Sequence, residues 1–108
     1  MVYTQEQIRQ AILPVAEKYK LRAVCLFGSY ARGTATEESD IDLIIDTAGT
    51  EIKRLPQLAT VSCDLETALG KKVDVVTVSA LEQVPRMPSE ERFRKNIWSE
   101  RVILYAIA

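Results

Sequence analysis

The sequence contains no histidine. That absence excludes nucleophilic triads with an imidazole base and zinc centres ligated by imidazole, and it leaves carboxylates as the available metal ligands. Cysteine is almost missing too. Cys25 lies in an apolar run and Cys63 in a predicted helix, and neither has a second sulfur at metal-ligand spacing. Both are read as buried free thiols, because a cytosolic domain of this size needs no staple. No apolar run approaches the roughly 18 residues of a membrane span, and the N-terminus lacks the basic and apolar regions of a leader. The expected location is therefore cytoplasmic, without membrane contact. An excess of one charge is absent as well: 14 basic residues face 15 acidic ones, so nothing pulls the chain toward a long polyanion, and direct nucleic-acid binding is not expected. What remains is 108 residues with 47% apolar content, enough for one domain, residues 1–108, and one core.

The patterning alternates helix with strand. Thr4 and Gln7 fit a capping box, and Ile8, Ile12, Val15 and Tyr19 follow on one helical face over residues 4–19. Pro14 falls inside that helix and predicts a kink or break near Ile12. "RAVCLFG", "DIDLIIDT" and "KKVDVVTV" read as buried strands. Between the first two, "GSYARGTATEES" predicts a turn at Gly28-Ser29, a short helix to about Arg32 and a polar loop. Leu55, Leu58, Val61, Leu65 and Leu69 form a second helical stripe that Gly70 ends. Beyond Ser79, "ALEQVPRMP" is interrupted twice by proline, "SEERFRKNIWSER" reads as helix, and "VILYAIA" either continues it or forms a last strand. The fold class is α/β, with a small mixed sheet flanked by helices.

Within "DIDLIID", strand alternation points Asp40 and Asp42 to one face, with α-carbons about 6.5 Å apart, while Ile41 and Leu43 point into the core. Two carboxylates about 5 Å apart repel by roughly 3 kcal/mol at an effective dielectric near 20, and a divalent cation reverses the sign. Mg²⁺ takes such oxygen ligands together with phosphate and water. Asp74 stands alone among the apolar residues of "KKVDVVTV" and needs either a ligand or an ion pair with Lys71, Lys72 or Arg32. Three acidic groups on neighbouring strands describe a two-metal phosphoryl or nucleotidyl transfer site. The Gly28-Ser29 turn adds the anion cradle: glycine lets backbone approach a ligand, the helix start presents free amides, Ser29 offers a hydroxyl and Arg32 a guanidinium. No Gly-Lys-Ser/Thr ending follows, so the cradle is not a P-loop.

Gly28-Ser29, ten intervening residues and Asp40-Ile41-Asp42 resemble the signature of the DNA polymerase β-type nucleotidyltransferase superfamily. "GSYARGTATEESDIDLIID" closely resembles its minimal nucleotidyltransferase (MNT) branch, and "ALGKKVDVVTV" extends the likeness to the third aspartate. The resemblance implies the nucleotidyltransferase fold and a Mg²⁺-dependent enzyme with two ions and ATP as substrate. In it Gly28, Ser29 and, as a phosphate contact, Arg32 hold the triphosphate, Asp40 and Asp42 bind metal, and Asp74 completes the metal and catalytic site near the acceptor hydroxyl. Tyr30 takes no role from the resemblance. Active MNT members paired with HEPN-domain ribonuclease toxins are antitoxins that transfer AMP to a toxin tyrosine. The implied role is thus a protein adenylyltransferase antitoxin in a hetero-oligomer; the alternatives are a non-catalytic antitoxin or scaffold that neutralises its partner by contact, and transfer to a small molecule such as an aminoglycoside. Trp98, Val102, Ile103, Leu104 and Tyr105 carry more apolar surface than a domain this small easily buries, so part of them is expected to pack on the core and the remainder, with Pro85 and Pro88, to form the docking surface.

Overall fold

The computed structural model describes residues 2–82 and 88–107. The chain opens with α1 (Gln5–Lys18), whose start is fixed by the reciprocal bonds between Thr4 and Gln7 and whose buried side is Ile8, Ile12, Val15 and Ala16. Pro14 neither ends nor interrupts this helix, contrary to the sequence expectation. The residue that loses its amide partner, Gln10, lies like Pro14 on the exposed side, where its carbonyl is open to solvent and the missing hydrogen bond costs little.

The strand β1 (Ala23–Phe27) follows, then the short helix α2 (Gly28–Arg32) and β2 (Ile41–Asp46). Next come α3 (Leu55–Leu69), β3 (Val73–Thr77), the one-turn helix α4 (Val78–Leu81), α5 (Pro88–Glu100) and β4 (Val102–Ala106). The third strand therefore stops one residue before the end of "KKVDVVTV", where the Thr77 side chain accepts from the Ala80 amide and starts α4. The chain's last apolar run is a strand and not a continued helix. Pro85 lies outside the described residues, whereas Pro88 opens α5 in the position where proline's missing amide costs least.

The sheet order is β3-β2-β1-β4, with β1 antiparallel to both β2 and β4 and β2 parallel to β3. The two inner strands are covered on both faces, which explains why β1 and β2 read as nearly unbroken apolar runs. On one face Val24, Leu26, Ile41, Leu43, Ile45, Val73 and Leu104 pack with Ile8, Ile12, Val61 and Leu65 of α1 and α3. On the other, Cys25, Phe27 and Ile44 pack with Ile97 of α5. Two expectations need correction. Leu55, counted in the α3 stripe, is 80% exposed because it stands at the helix start, before the buried face begins at Val61. Cys63 is exposed, and only Cys25 is buried. Among the described residues no helix is long and apolar enough to cross a membrane.

Candidate active site

The alternation of β2 decides which carboxylate enters the cleft. Ile41, Leu43 and Ile45 belong to the larger core, so Asp42 and Ile44 face the opposite layer, where α5 packs. Register then places Asp42 between two neighbours, Phe27 at the end of β1 and Asp74 on β3. The Asp42 carboxyl is pushed up to about 6. Partial burial is the main cause; the charge of Asp74 and a hydrogen bond to it, then the charge of Asp40, add to the shift, and the Arg32 guanidinium opposes it.

Asp40 ends the loop before β2 and turns toward Lys72, whose Nζ lies 3.8 Å from its Oδ2. Asp74 is exposed on an edge strand, so burial does not oblige it to find a partner, as its apolar neighbours had suggested. Among the described residues, no group of three His, Cys, Asp or Glu side chains is gathered to hold a metal ion. Two of the three aspartates, Asp42 and Asp74, come together; the third points to a lysine. The pair nevertheless suits a hard cation: its donors are all carboxylate oxygens, and the repulsion of Asp42 by Asp74 and Asp40, which adds to the rise of its carboxyl, is what a cation between them relieves.

Gly28 sits where β1 turns into α2, at φ +73°, a conformation that side chains with a Cβ disfavour. Its second property is closeness to Asp42: a Cβ added there would lie 2.2 Å from Asp42 Oδ2. The glycine is therefore the space in which this carboxylate stands. Among the described residues no side chain caps the start of α2, which leaves the first amides of the helix open at the Gly28-Ser29 turn. Tyr30, one residue on, is a core residue.

Phe27, Gly28, Ser29, Arg32 and Asp42 form one wall of a cleft of about 420 Å³. The other wall is α5, through Phe93, Asn96, Ile97 and Glu100. The Arg32 guanidinium reaches across to Glu100, N to O 3.1 Å. Sequence reading missed all four α5 residues. Their spacing of three, four and seven was a usable signal, since it puts them on one helix face, but nothing local showed that this face meets the Gly28-Ser29 turn.

A family model described as "Nucleotidyltransferase domain" matches residues 8–105. A provisionally named protein adenylyltransferase of Methanocaldococcus jannaschii is 37% identical over 75 residues, 69% of this chain and 78% of that protein. A solved structure, provisionally described as a minimal nucleotidyltransferase, superposes with a TM-score of 0.67 at 29% identity, over 93% of this chain and 95% of the other. The same fold occurs in a complex described as a tri-AMPylated Shewanella oneidensis HEPN toxin with an MNT antitoxin (TM-score 0.66, 19% identity, 96% of this chain and 74% of that one). With its mixed four-stranded sheet and a match over nearly all its length, this chain belongs to the nucleotidyltransferase domain family, in its minimal branch, and is a nucleotidyltransferase.

Proposed function

We propose that the chain transfers AMP from ATP to a tyrosine hydroxyl of a HEPN-type ribonuclease partner, and that this modification makes it the partner's antitoxin. The observation that carries the chemistry is the placement of Asp42, which lines the cleft, against both Gly28 and Asp74. The acceptor's class is supported by relatives named for protein adenylylation and by the fold shared with an antitoxin described in complex with an AMPylated toxin. The domain that does this is residues 1–108, and the acceptor arrives on the partner.

In this reading Asp42 and Asp74, with Asp40 once it leaves Lys72, hold Mg²⁺, two ions at full occupancy. The metal supplies neutralisation of the triphosphate and a lowered barrier to attack at phosphorus. The chain's own groups bind and orient. The free amides and hydroxyl at Gly28-Ser29 take phosphate oxygens, and Arg32 exchanges Glu100 for phosphate. The tyrosine oxygen attacks the α-phosphorus, the bond from that phosphorus to the bridging oxygen of the β-phosphate breaks, and pyrophosphate leaves. The hydroxyl proton passes to the Asp74 carboxylate, which is exposed on its edge strand and so open to a group carried by another protein. Of the residues expected to dock the partner, Leu104 packs in the core and Val102 and Tyr105 are partly buried, so docking falls to Trp98 at 44% exposure and Ile103 at 61%, joined by Ile107 at 53%.

Asp74→Asn tests the proposal. The variant is expected still to bind MgATP, through Asp42, Gly28, Ser29 and Arg32, and still to bind its partner, while failing to modify the partner. Intact-mass spectrometry of the co-expressed partner should show added AMP with the wild type and none with the variant. A variant that leaves the partner unmodified yet protects cells as well as the wild type does would establish neutralisation by contact instead.

A further inference from the structure

The cleft has two chemically different ends, and only one is accounted for by phosphate and metal. Toward the Gly28-Ser29 turn it is polar, with Arg32 tied to Glu100 in the last turn of α5. Along α5 toward its N-terminus the lining becomes Ile97, Asn96 and then Phe93. Glu100 and Phe93 are seven residues apart, about 10 Å of helix rise. The Phe93 ring is 62% exposed although it borders a cavity, and the Asn96 side chain makes no hydrogen bond among the described residues. Ile97, by contrast, is buried at 4% exposure and anchors the helix on Phe27 and Ile44. A flat ring and a free amide one turn apart, on a helix whose inner side is fixed in the core, are the parts of a site for a planar heterocycle.

We propose that this face of α5 reads the nucleobase, with Phe93 as the stacking surface and Asn96 as the residue that selects adenine. The inference rests on the nucleotide reading of the same cleft and adds to it the residues that set base preference. A carboxamide offers one donor group and one acceptor side by side, which matches the N6 donor and N7 acceptor of adenine. Guanine shows two acceptors, N7 and O6, at the corresponding edge, so the Asn96 carbonyl would face an acceptor with no proton between them. Stacking is tolerant of base identity, because every base has a π-face. The two residues thus have separable effects: Phe93 sets how tightly any nucleotide binds, and Asn96 sets which one.

Calorimetric titration of the complete chain with MgATP and MgGTP reads both effects. The wild type is expected to favour ATP at least tenfold. Asn96→Ala should bring that ratio close to one, chiefly by weakening ATP. Phe93→Ala should weaken both nucleotides by roughly tenfold or more and leave their ratio unchanged. Both positions are exposed, so melting temperatures should stay near the wild-type value. If the wild type binds ATP and both variants keep its affinities, or if Phe93→Ala weakens only partner binding, the base-reading role is wrong. If the wild type binds neither nucleotide, the nucleotide reading of the cleft falls, and this inference with it.

Discussion

Replacing Asp42 with Asn should reduce nucleotidyl transfer by several orders of magnitude while leaving the fold intact or slightly more stable. The activity loss follows from position: Asp42 alone among the three aspartates lines the cleft, faces Asp74 in register and touches the space left by Gly28. The stability effect follows from its proton. Between its ordinary value of 3.8 and about 6, the folded state holds a proton that the unfolded chain has released. A raised carboxyl of this kind favours folding fully below pH 4, and that contribution is lost as pH rises through 6. At pH 7 in chelator the wild type thus carries an ionised, half-buried carboxylate beside two others, which Asn removes. Discounted for partial exposure, the gain is about 1 kcal/mol, or roughly 5 °C in melting temperature. Melting curves at pH 5 and pH 7 should converge for the variant and differ for the wild type in the direction of greater stability at pH 5, as far as this group contributes. Transfer at wild-type rate by Asp42→Asn would remove the site from the account.

The second large effect is expected at Gly28, and Gly33 supplies the control. Both glycines have positive φ, +73° and +77°, so alanine at either position carries a similar backbone cost of about 1–2 kcal/mol. Only at Gly28 does the new methyl meet anything. It would stand 2.2 Å from Asp42 Oδ2 and 3.1 Å from Asp42 Cγ, whereas among the described residues nothing lies within 4 Å of a Cβ at Gly33. The Asp42 carboxylate must swing away, and a reacting group misplaced by about 1 Å costs on the order of a hundredfold. Gly28→Ala should therefore lose both stability and at least about 100-fold in transfer rate, and Gly33→Ala stability alone. Equal activity losses in the two variants would show that Gly28 serves only the turn.

Much of this molecule could be read from local pattern. The capping box at Thr4 and Gln7, the αL stop at Gly70 and the strand-turn-helix at Gly28-Ser29 depend on neighbours a few residues away, and all appear as read. Pro14 misled because its cost depends on which side of the helix faces water, and here the orphaned carbonyl does. "VILYAIA" was ambiguous for a related reason: a short apolar run has no clear period, and its pairing with β1, with a shift in register between Val24 and Cys25, is a tertiary fact. In the site, Gly28, Ser29 and Asp42 were legible as residue types at a spacing. That Asp42 faces Phe27 and Asp74, that Asp40 turns to Lys72 and that α5 closes the cleft follow from register and packing between segments up to about seventy residues apart. No local pattern contains them.

The proposed reaction moves a nucleoside monophosphate, and not a phosphoryl group, from ATP to a protein hydroxyl. One reaction separates these outcomes: the chain, its HEPN-type partner and Mg²⁺, incubated in parallel with ATP labelled at the α-phosphorus and at the γ-phosphorus. The α-label is expected to become bound to the partner in amounts equal to the pyrophosphate released, the γ-label to leave in that pyrophosphate, and chelation to stop both. Label from the γ-position on the partner would make the chain a kinase, and no label from either position beside full neutralisation of the partner would make it a binding subunit.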